Sequence, residues 1–209
     1  MAGARANYRL VVGLGNVGER YTGTRHNAGF WYADALAQRL GCAFRADRKA
    51  QGELARAAVG GRDLRLLKPS TLMNHSGRSV AAVARFHKLA AGDVLVAHDD
   101  LDLPPGVVRL KHGGGHGGHN GLRDLDTALG TRDYWRLRIG VGRPPAAGDV
   151  IDYVLKRPAP DERRAIESAI ERVVEETDYL LADGDVERVM NRLHTRAQGS
   201  AHRSESNGF

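Results

Sequence analysis

The sequence predicts an α/β fold: one domain, a twisted mixed β-sheet with helices on both faces. Three observations predict it. Short apolar, β-branched runs alternate along the chain with amphipathic segments of helical period. Two of the runs meet at Gly60-Gly61, a two-residue hairpin signal, so part of the sheet is antiparallel. The 209 residues contain no repeat and no dividing linker, and this length suits one ordinary domain with a sizeable core.

"YRLVVGL" (8–14) is apolar and β-branched and reads as a buried strand ended by Gly13. "AGFWYADALAQRL" (28–40) has helical spacing, with Phe30, Ala33, Leu36 and Leu40 near one face and Gly41 as its stop. Residues 52–69 read as a hairpin closed at Gly60-Gly61 and ended by Pro69. "SGRSVAAVARFHKL" (76–89) reads as a helix capped by Ser76. "DVLVAHDDLDLPPG" (93–106) is a strand running into a Pro-Gly turn, and 107–112 is a short strand. "LRDLDTALG" (122–130) is a helix that Gly130 closes, with Asn120 placed to cap it. Residues 134–144 form a further strand, and 149–155 a short helix. Residues 161–184 read as one long amphipathic helix ended by Gly184, and 185–195 as another helix. The folded unit therefore spans 1–194, and the polar stretch 195–209 is expected to be disordered.

Bulk properties narrow the function. Lys plus Arg is 31 against 25 Asp plus Glu, a net charge of +6, which favours polyanionic partners such as nucleic acid. The single cysteine, Cys42, excludes an intrachain disulfide and a cysteine-built zinc site and fits a reducing, cytoplasmic setting. "MAGARANYRL" lacks the apolar core of a secretory signal, and no stretch approaches the ~18 apolar residues of a membrane span.

"VGLGNVGERY" contains Gly13-x-Gly15-x-x-Gly18 after a strand, the pattern of a dinucleotide-binding turn. That reading needs a helix to begin at the turn and an acidic residue to end the next strand. Gly23 and Gly29 interrupt the segment after the turn, helical spacing starts only near Ala28, and Asp34 falls inside the helix. The glycines instead allow a tight loop to leave the strand and carry Asn16 to a site.

Polar groups gather at predicted strand ends, where α/β sheets place their sites. They are Asn16, His26-Asn27, Met73-Asn74, His98-Asp99-Asp100 and His119-Asn120. His26 is the favoured general base, since an imidazole titrates near ~6.5 and can take a proton from water. Asp99 is a candidate to orient it, although the Asp99-Asp100 pair also suits a metal or a capped turn. No nucleophile signature accompanies them: Ser70, Ser76 and Ser79 lack a Gly-x-Ser-x-Gly elbow. A hydrolase built this way activates water directly. Asn16, Asn74 and Asn120 then offer NH₂ donors to a carbonyl or an oxyanion.

The run "HGGGHGGHNG" holds His112, His116 and His119. No HExxH or cysteine pattern supports a metal there, and none is expected. A loop that closes over substrate suits the glycines better. Lys111 precedes the run, and Arg136 and Arg138 alternate on a strand, so both face one side. A lysine and an arginine converging there suit a phosphate.

Taken together, "VVGLGNVGERYTGTRHNAGF", "LLKPSTLMNHSGRSV", "VLVAHDDLDLPPGVVRLKHGGGHGGHNGLRDL" and "RLRIGVGRP" resemble the bacterial peptidyl-tRNA hydrolase family, from about Tyr8 to His194. The resemblance implies hydrolysis of the ester between a peptide and the 3′ end of tRNA, recycling tRNA from aborted translation, by a cytoplasmic monomer without cofactor or metal. It implies His26 as the base that activates water and Asp99 as its supporting carboxylate. Asn16 resembles the residue that separates N-blocked from free aminoacyl-tRNA. Tyr21, Leu72, Met73, Asn74 and Asn120 resemble substrate and tRNA-end contacts, with His119 beside the gate. Lys111 and Arg138 resemble the clamp on the tRNA 5′-phosphate. Three positions depart from the family pattern. Val17 stands where a proline is usual, Leu72 where an aromatic is often found, and Asp100 where Glu is common. The rival classes are a dinucleotide-dependent enzyme, which would retain a cofactor through gel filtration, and a non-catalytic RNA-binding module, which would bind tRNA without cleaving it.

Overall fold

A computed structural model describes residues 6–144 and 149–193. The expected tail, 195–209, lies outside them. Seven strands form one sheet in the order β2-β3-β4-β1-β5-β7-β6. They are β1 (Leu10–Gly13), β2 (Arg45–Asp47), β3 (Gly52–Val59), β4 (Arg62–Pro69), β5 (Val94–Asp100), β6 (Val108–His112) and β7 (Trp135–Gly140). The central strands β4, β1, β5 and β7 run parallel. The edges are antiparallel, β2 and β3 on one side and β6 on the other. The sheet is therefore mixed, as the hairpin signal requires, and Gly60 and Gly61 make its turn with φ of 57° and 73°. Strand β2, three residues at the edge, carries no apolar alternation, which is why the sequence does not reveal it.

Alternate side chains of the strands enter two cores. Val11, Leu66, Leu95, Leu137 and Ile139 pack on one face. Helices α1 (Ala28–Arg39) and α5 (Pro160–Glu175) cover it with Tyr32, Leu36, Ile166 and Ile170. Leu10, Val12, Leu67, Val94 and Val96 pack on the other, beneath α2 (Ser76–Phe86) and α3 (Asn120–Leu129). This is the period-2 split expected of a sheet covered on both sides.

Several local expectations change. Helix α2 ends at Phe86, three residues early, and Ser76 does not cap it through its hydroxyl, which donates to the Met73 carbonyl. The cap comes from α3: the Gly77 amide donates to Asp124 Oδ2 at 2.7 Å. Helix α3 is capped by His119, not Asn120, which is its first helical residue. The long helix read over 161–184 stops at Glu175 and passes into a π-helical turn, Asp178–Ala182, that seats Leu180 and Leu181 in the core. The chain is helical again from 186 to 193. Helix α4 (Val150–Val154) is short, as expected. No helix among the described residues is long and apolar enough to cross a membrane.

The glycine pattern is a packing device. A Cβ on Gly13 would overlap the Gly29 carbonyl, and one on Gly29 would overlap the Ala97 carbonyl and the Leu14 backbone. The first turn of α1 thus lies directly on β1 and β5. Between strand and helix the chain makes two 3₁₀ turns, Glu19–Tyr21 and Arg25–Asn27, where a dinucleotide fold starts its helix. Gly29→Ala is expected to cost about 1–3 kcal/mol, since neither backbone can move aside. The midpoint of urea unfolding measures it, and a change within experimental error would contradict the packing role.

Candidate active site

The parallel strands β1, β4 and β5 end on one side of the sheet, and a cavity of about 620 Å³ opens there. Asn16 follows β1, Met73 and Asn74 follow β4, and Asp99 is the last residue but one of β5. Tyr21, His26, Leu72, Lys111, His119, Asn120 and Arg138 also line it, so every site residue expected from sequence faces this cavity.

Asp99 is at its centre and is 3% exposed. Its Oδ1 accepts from His26 Nδ1 at 2.9 Å and from His119 Nε2 at 3.0 Å. The hydrogen bonds fix the tautomers. A carboxylate only accepts, so His26 carries its proton on Nδ1 and keeps a lone pair on Nε2. His119 Nδ1 accepts from the Leu122 amide at 3.3 Å, so its proton lies on Nε2, toward Asp99. The residue that caps α3 therefore also donates to the buried carboxylate.

Electrostatics follow from this geometry. Burial alone would raise the Asp99 carboxyl, but the two imidazoles hold it far below the carboxylate range. Burial works against a charged His26, yet the Asp99 charge and hydrogen bond outweigh it and raise the imidazole above its ordinary value. His98, the neighbour on β5, behaves oppositely. It lies against His119, ring centres 5.1 Å apart, and burial pushes it down to about 3. Its Nδ1 donates to the Asp99 carbonyl at 2.8 Å, and it stays neutral.

Asn16 is set by a reciprocal pair. Its amide donates to Asn27 Oδ1 and its carbonyl accepts from Asn27 Nδ2, each at 2.9 Å. Asn16 Oδ1 accepts from the Met73 amide at 3.0 Å. With that oxygen engaged, the Asn16 NH₂ is the group left for the cavity. Asn74 and Asn120 are exposed at the rim, Asn120 with its oxygen 3.3 Å from the Arg123 guanidinium. Tyr21 lies under Arg20, 4.5 Å from guanidinium to ring. Leu72 is 57% exposed and Val17 42%.

The two arginines of β7 differ. Arg136 is buried and donates to the Gly114 and Gly115 carbonyls at 2.7 and 2.6 Å, which fastens the first half of the glycine loop. It is not available to a ligand. Arg138 lies partly open and pairs with Asp100 at 2.7 Å. Partial burial would raise the Asp100 carboxyl, but the hydrogen bond from Arg138 outweighs it and holds the group below its usual range. Lys111 is exposed beside Gly114.

His26, Asp99 and His119 are also the one set of three metal-type ligands found close together among the described residues, within 4.8 Å. Both ring nitrogens point at the same oxygen, so the trio is filled by its own hydrogen bonds. A metal would have to displace those protons. His112 stacks on Trp135 and His116 accepts from the Gly118 amide, so the glycine-run histidines do not converge.

The model of the family described as peptidyl-tRNA hydrolase matches residues 10–201. The chain belongs to the peptidyl-tRNA hydrolase family. The peptidyl-tRNA hydrolase of Halorhodospira halophila is 52% identical over 194 residues, covering 93% of this chain and all of its own. That of Alkalilimnicola ehrlichii is 53% identical over 190 residues, 90% of this chain and 96% of its own. The crystal structure of peptidyl-tRNA hydrolase from Acinetobacter baumannii superposes with a TM-score of 0.86 at 43% identity, covering 92% of this chain and 97% of that one.

Sequence reasoning missed Asp124, and it named Asn27 and Arg136 without the contacts through which they hold this family member's site together. All three act on backbone groups of distant segments, and no local pattern announces that. His26 should titrate above ~6.5 in an NMR pH series. Replacing Asp99 by Asn leaves only burial acting on the ring, so the midpoint should fall below that value. An unmoved midpoint would break the assigned coupling.

Proposed function

We propose that His26 Nε2 takes a proton from water as that water attacks an ester carbonyl in the cavity. The reaction is the family's, cleavage of the ester that joins a peptide to tRNA, and the chain is a hydrolase. The observation that carries the mechanism is the Asp99 oxygen shared by His26 and His119, at 2.9 and 3.0 Å. It orients one imidazole with its lone pair outward and stabilises the imidazolium that forms. An ester is activated enough for this chemistry without a side-chain nucleophile, metal or cofactor. The Asn16 NH₂ donates to the substrate carbonyl or the oxyanion, a contribution of about 10²–10³-fold.

The acceptor end of tRNA enters past Tyr21, Leu72, Asn74 and Asn120, with Met73 beneath. Lys111 and Arg138 hold the 5′-phosphate. With Leu72 in place of an aromatic, that position offers apolar contact rather than ring stacking. The enzyme works as a cytoplasmic monomer, and its affinity for tRNA falls with salt as phosphate contacts require.

The test is release of the blocked amino acid from N-acetyl-aminoacyl-tRNA. Wild-type protein should cleave it, spare unblocked aminoacyl-tRNA and keep its rate after dialysis against EDTA. His26→Ala should lose about 10²–10⁴-fold in kcat while still binding tRNA. Near-normal turnover in that variant would remove the base assignment. Replacing both Lys111 and Arg138 by Ala should lower kcat/KM on tRNA but spare short oligonucleotide esters that lack the 5′-phosphate. Equal losses on both substrates would dismiss the clamp.

A further inference from the structure

Arg25 immediately precedes the base, yet its side chain turns away from the chemistry. It is a buried cation, with 8% of the side chain exposed. Burying a guanidinium is costly unless its protons are taken up by well-placed acceptors. Here Nη1 lies 3.3 Å from the Tyr153 carbonyl, 3.3 Å from that of Lys156 and 3.1 Å from that of Arg157. Nη2 donates to Glu162 Oε2 at 2.6 Å. The guanidinium carbon stands 4.0 Å over the Tyr153 ring. The Arg25 amide also donates to the Lys156 carbonyl at 3.2 Å.

The three carbonyls share one feature: they lie at and just beyond the C-terminal end of α4. A helix leaves its last carbonyls without partners, and a five-residue helix is too short to be stable by itself. Arg25 adds donors from another part of the chain, to the Tyr153 carbonyl, which also accepts from the Lys156 amide, and to the Lys156 and Arg157 carbonyls just beyond the helix. Helix α4 in turn provides one wall of the cavity, with Val150, Ile151 and Val154 lining it and Leu155 continuing it. Val150 and Ile151 are 41% and 61% exposed, an apolar surface turned toward the site. Glu162 Oε2 also accepts from the Ala159 amide, so the same carboxylate starts α5 and holds Arg25.

We infer that Arg25 is a positioning residue for substrate binding: it fixes the apolar α4 wall to the turn that carries His26. The wall contacts the substrate alike in ground and transition states, so its loosening weakens binding without slowing the chemical step. This rests on the reading of the cavity as the peptidyl-tRNA site.

Arg25→Lys keeps a cation within reach of Glu162 but removes the fork that joins the carbonyls to that carboxylate. KM for N-acetyl-aminoacyl-tRNA should rise about tenfold, as expected for losing charge-assisted hydrogen bonds. The kcat should stay within about threefold, and the acidic limb of its pH profile should not move, because His26 and Asp99 are untouched. Glu162→Gln should change KM in the same direction by less. A fall in kcat with a displaced pH limb would show that Arg25 acts on His26 instead, and unchanged KM in both variants would refute the inference. Amide hydrogen exchange separates this from the functional reading, since it needs no substrate. In the Lys variant, exchange over 150–155 should accelerate while β5 and β7 keep their protection. Unchanged exchange over 150–155 overturns the inference even if the enzyme cleaves peptidyl-tRNA. Absent cleavage by wild-type protein with accelerated exchange in the variant overturns the reading of the cavity and leaves the anchoring of α4 standing.

Discussion

A buried carboxylate cannot remain charged unless its surroundings supply donors, and the active end of this fold is organised around one such group. Asp99 lies near the end of β5 with almost no solvent contact, and two imidazole N–H groups meet on a single oxygen. The donors come from opposite sides: His26 from the turn before α1, His119 from the start of α3. Each helix covers a different face of the sheet. The carboxylate therefore joins the two layers at the point where the parallel strands end. Breaking either contact would leave part of a buried charge uncompensated. The arrangement that raises the His26 imidazole also registers α1 against α3.

The close approach of α1 to β1 and β5 makes that geometry reachable. Gly13 and Gly29 let backbone lie on backbone, which draws the preceding turn down to the end of β5. Three consecutive residues of that turn then serve three directions. Arg25 reaches the α4 carbonyls, His26 reaches Asp99, and Asn27 locks the loop that carries Asn16. A single 3₁₀ turn thus sets α4, His26 and Asn16 relative to one another. Its short length matters, because fewer free dihedrals separate the three groups than any longer loop would allow.

Much of this was legible in the sequence. The hairpin, the strand runs and the two-faced sheet follow from turn chemistry and period-2 burial. Asn16, Asn74 and Asp99, which line the cavity, were legible as candidates because they sit at strand ends, where polar groups have little structural reason to gather, whereas Tyr21 and Leu72 came only from the family resemblance. What the sequence hid has a common cause. Asp124 capping α2, His119 capping α3 and Arg136 holding Gly114 and Gly115 are contacts that tertiary structure decides. Local propensity favoured Ser76 and Asn120 as caps, and other residues took both roles. The run 161–184 keeps a helical pattern throughout, yet a π turn takes over at Asp178, where core packing of Leu180 and Leu181 decides the backbone. Edge strand β2 has no apolar period to read because only the sheet edge requires it.

The Arg138 end of the cavity obeys a different balance from the Asp99 end. Asp99 faces two donors and keeps its charge buried, whereas Asp100, one residue on, points to the other face and meets Arg138 near solvent. A partly exposed pair of this kind is modest in strength and is screened by salt. The phosphate proposed to bind there would carry more negative charge than the carboxylate and offer more acceptor oxygens, so it would share the guanidinium rather than having to strip it bare. Lys111, exposed on the neighbouring strand, adds a further positive charge at the same end. Asp100 is the partner of Arg138 at the rim of the cavity. The two adjacent acids thus differ: Asp99 is inaccessible and joins two imidazoles, whereas Asp100 pairs with a partly open guanidinium.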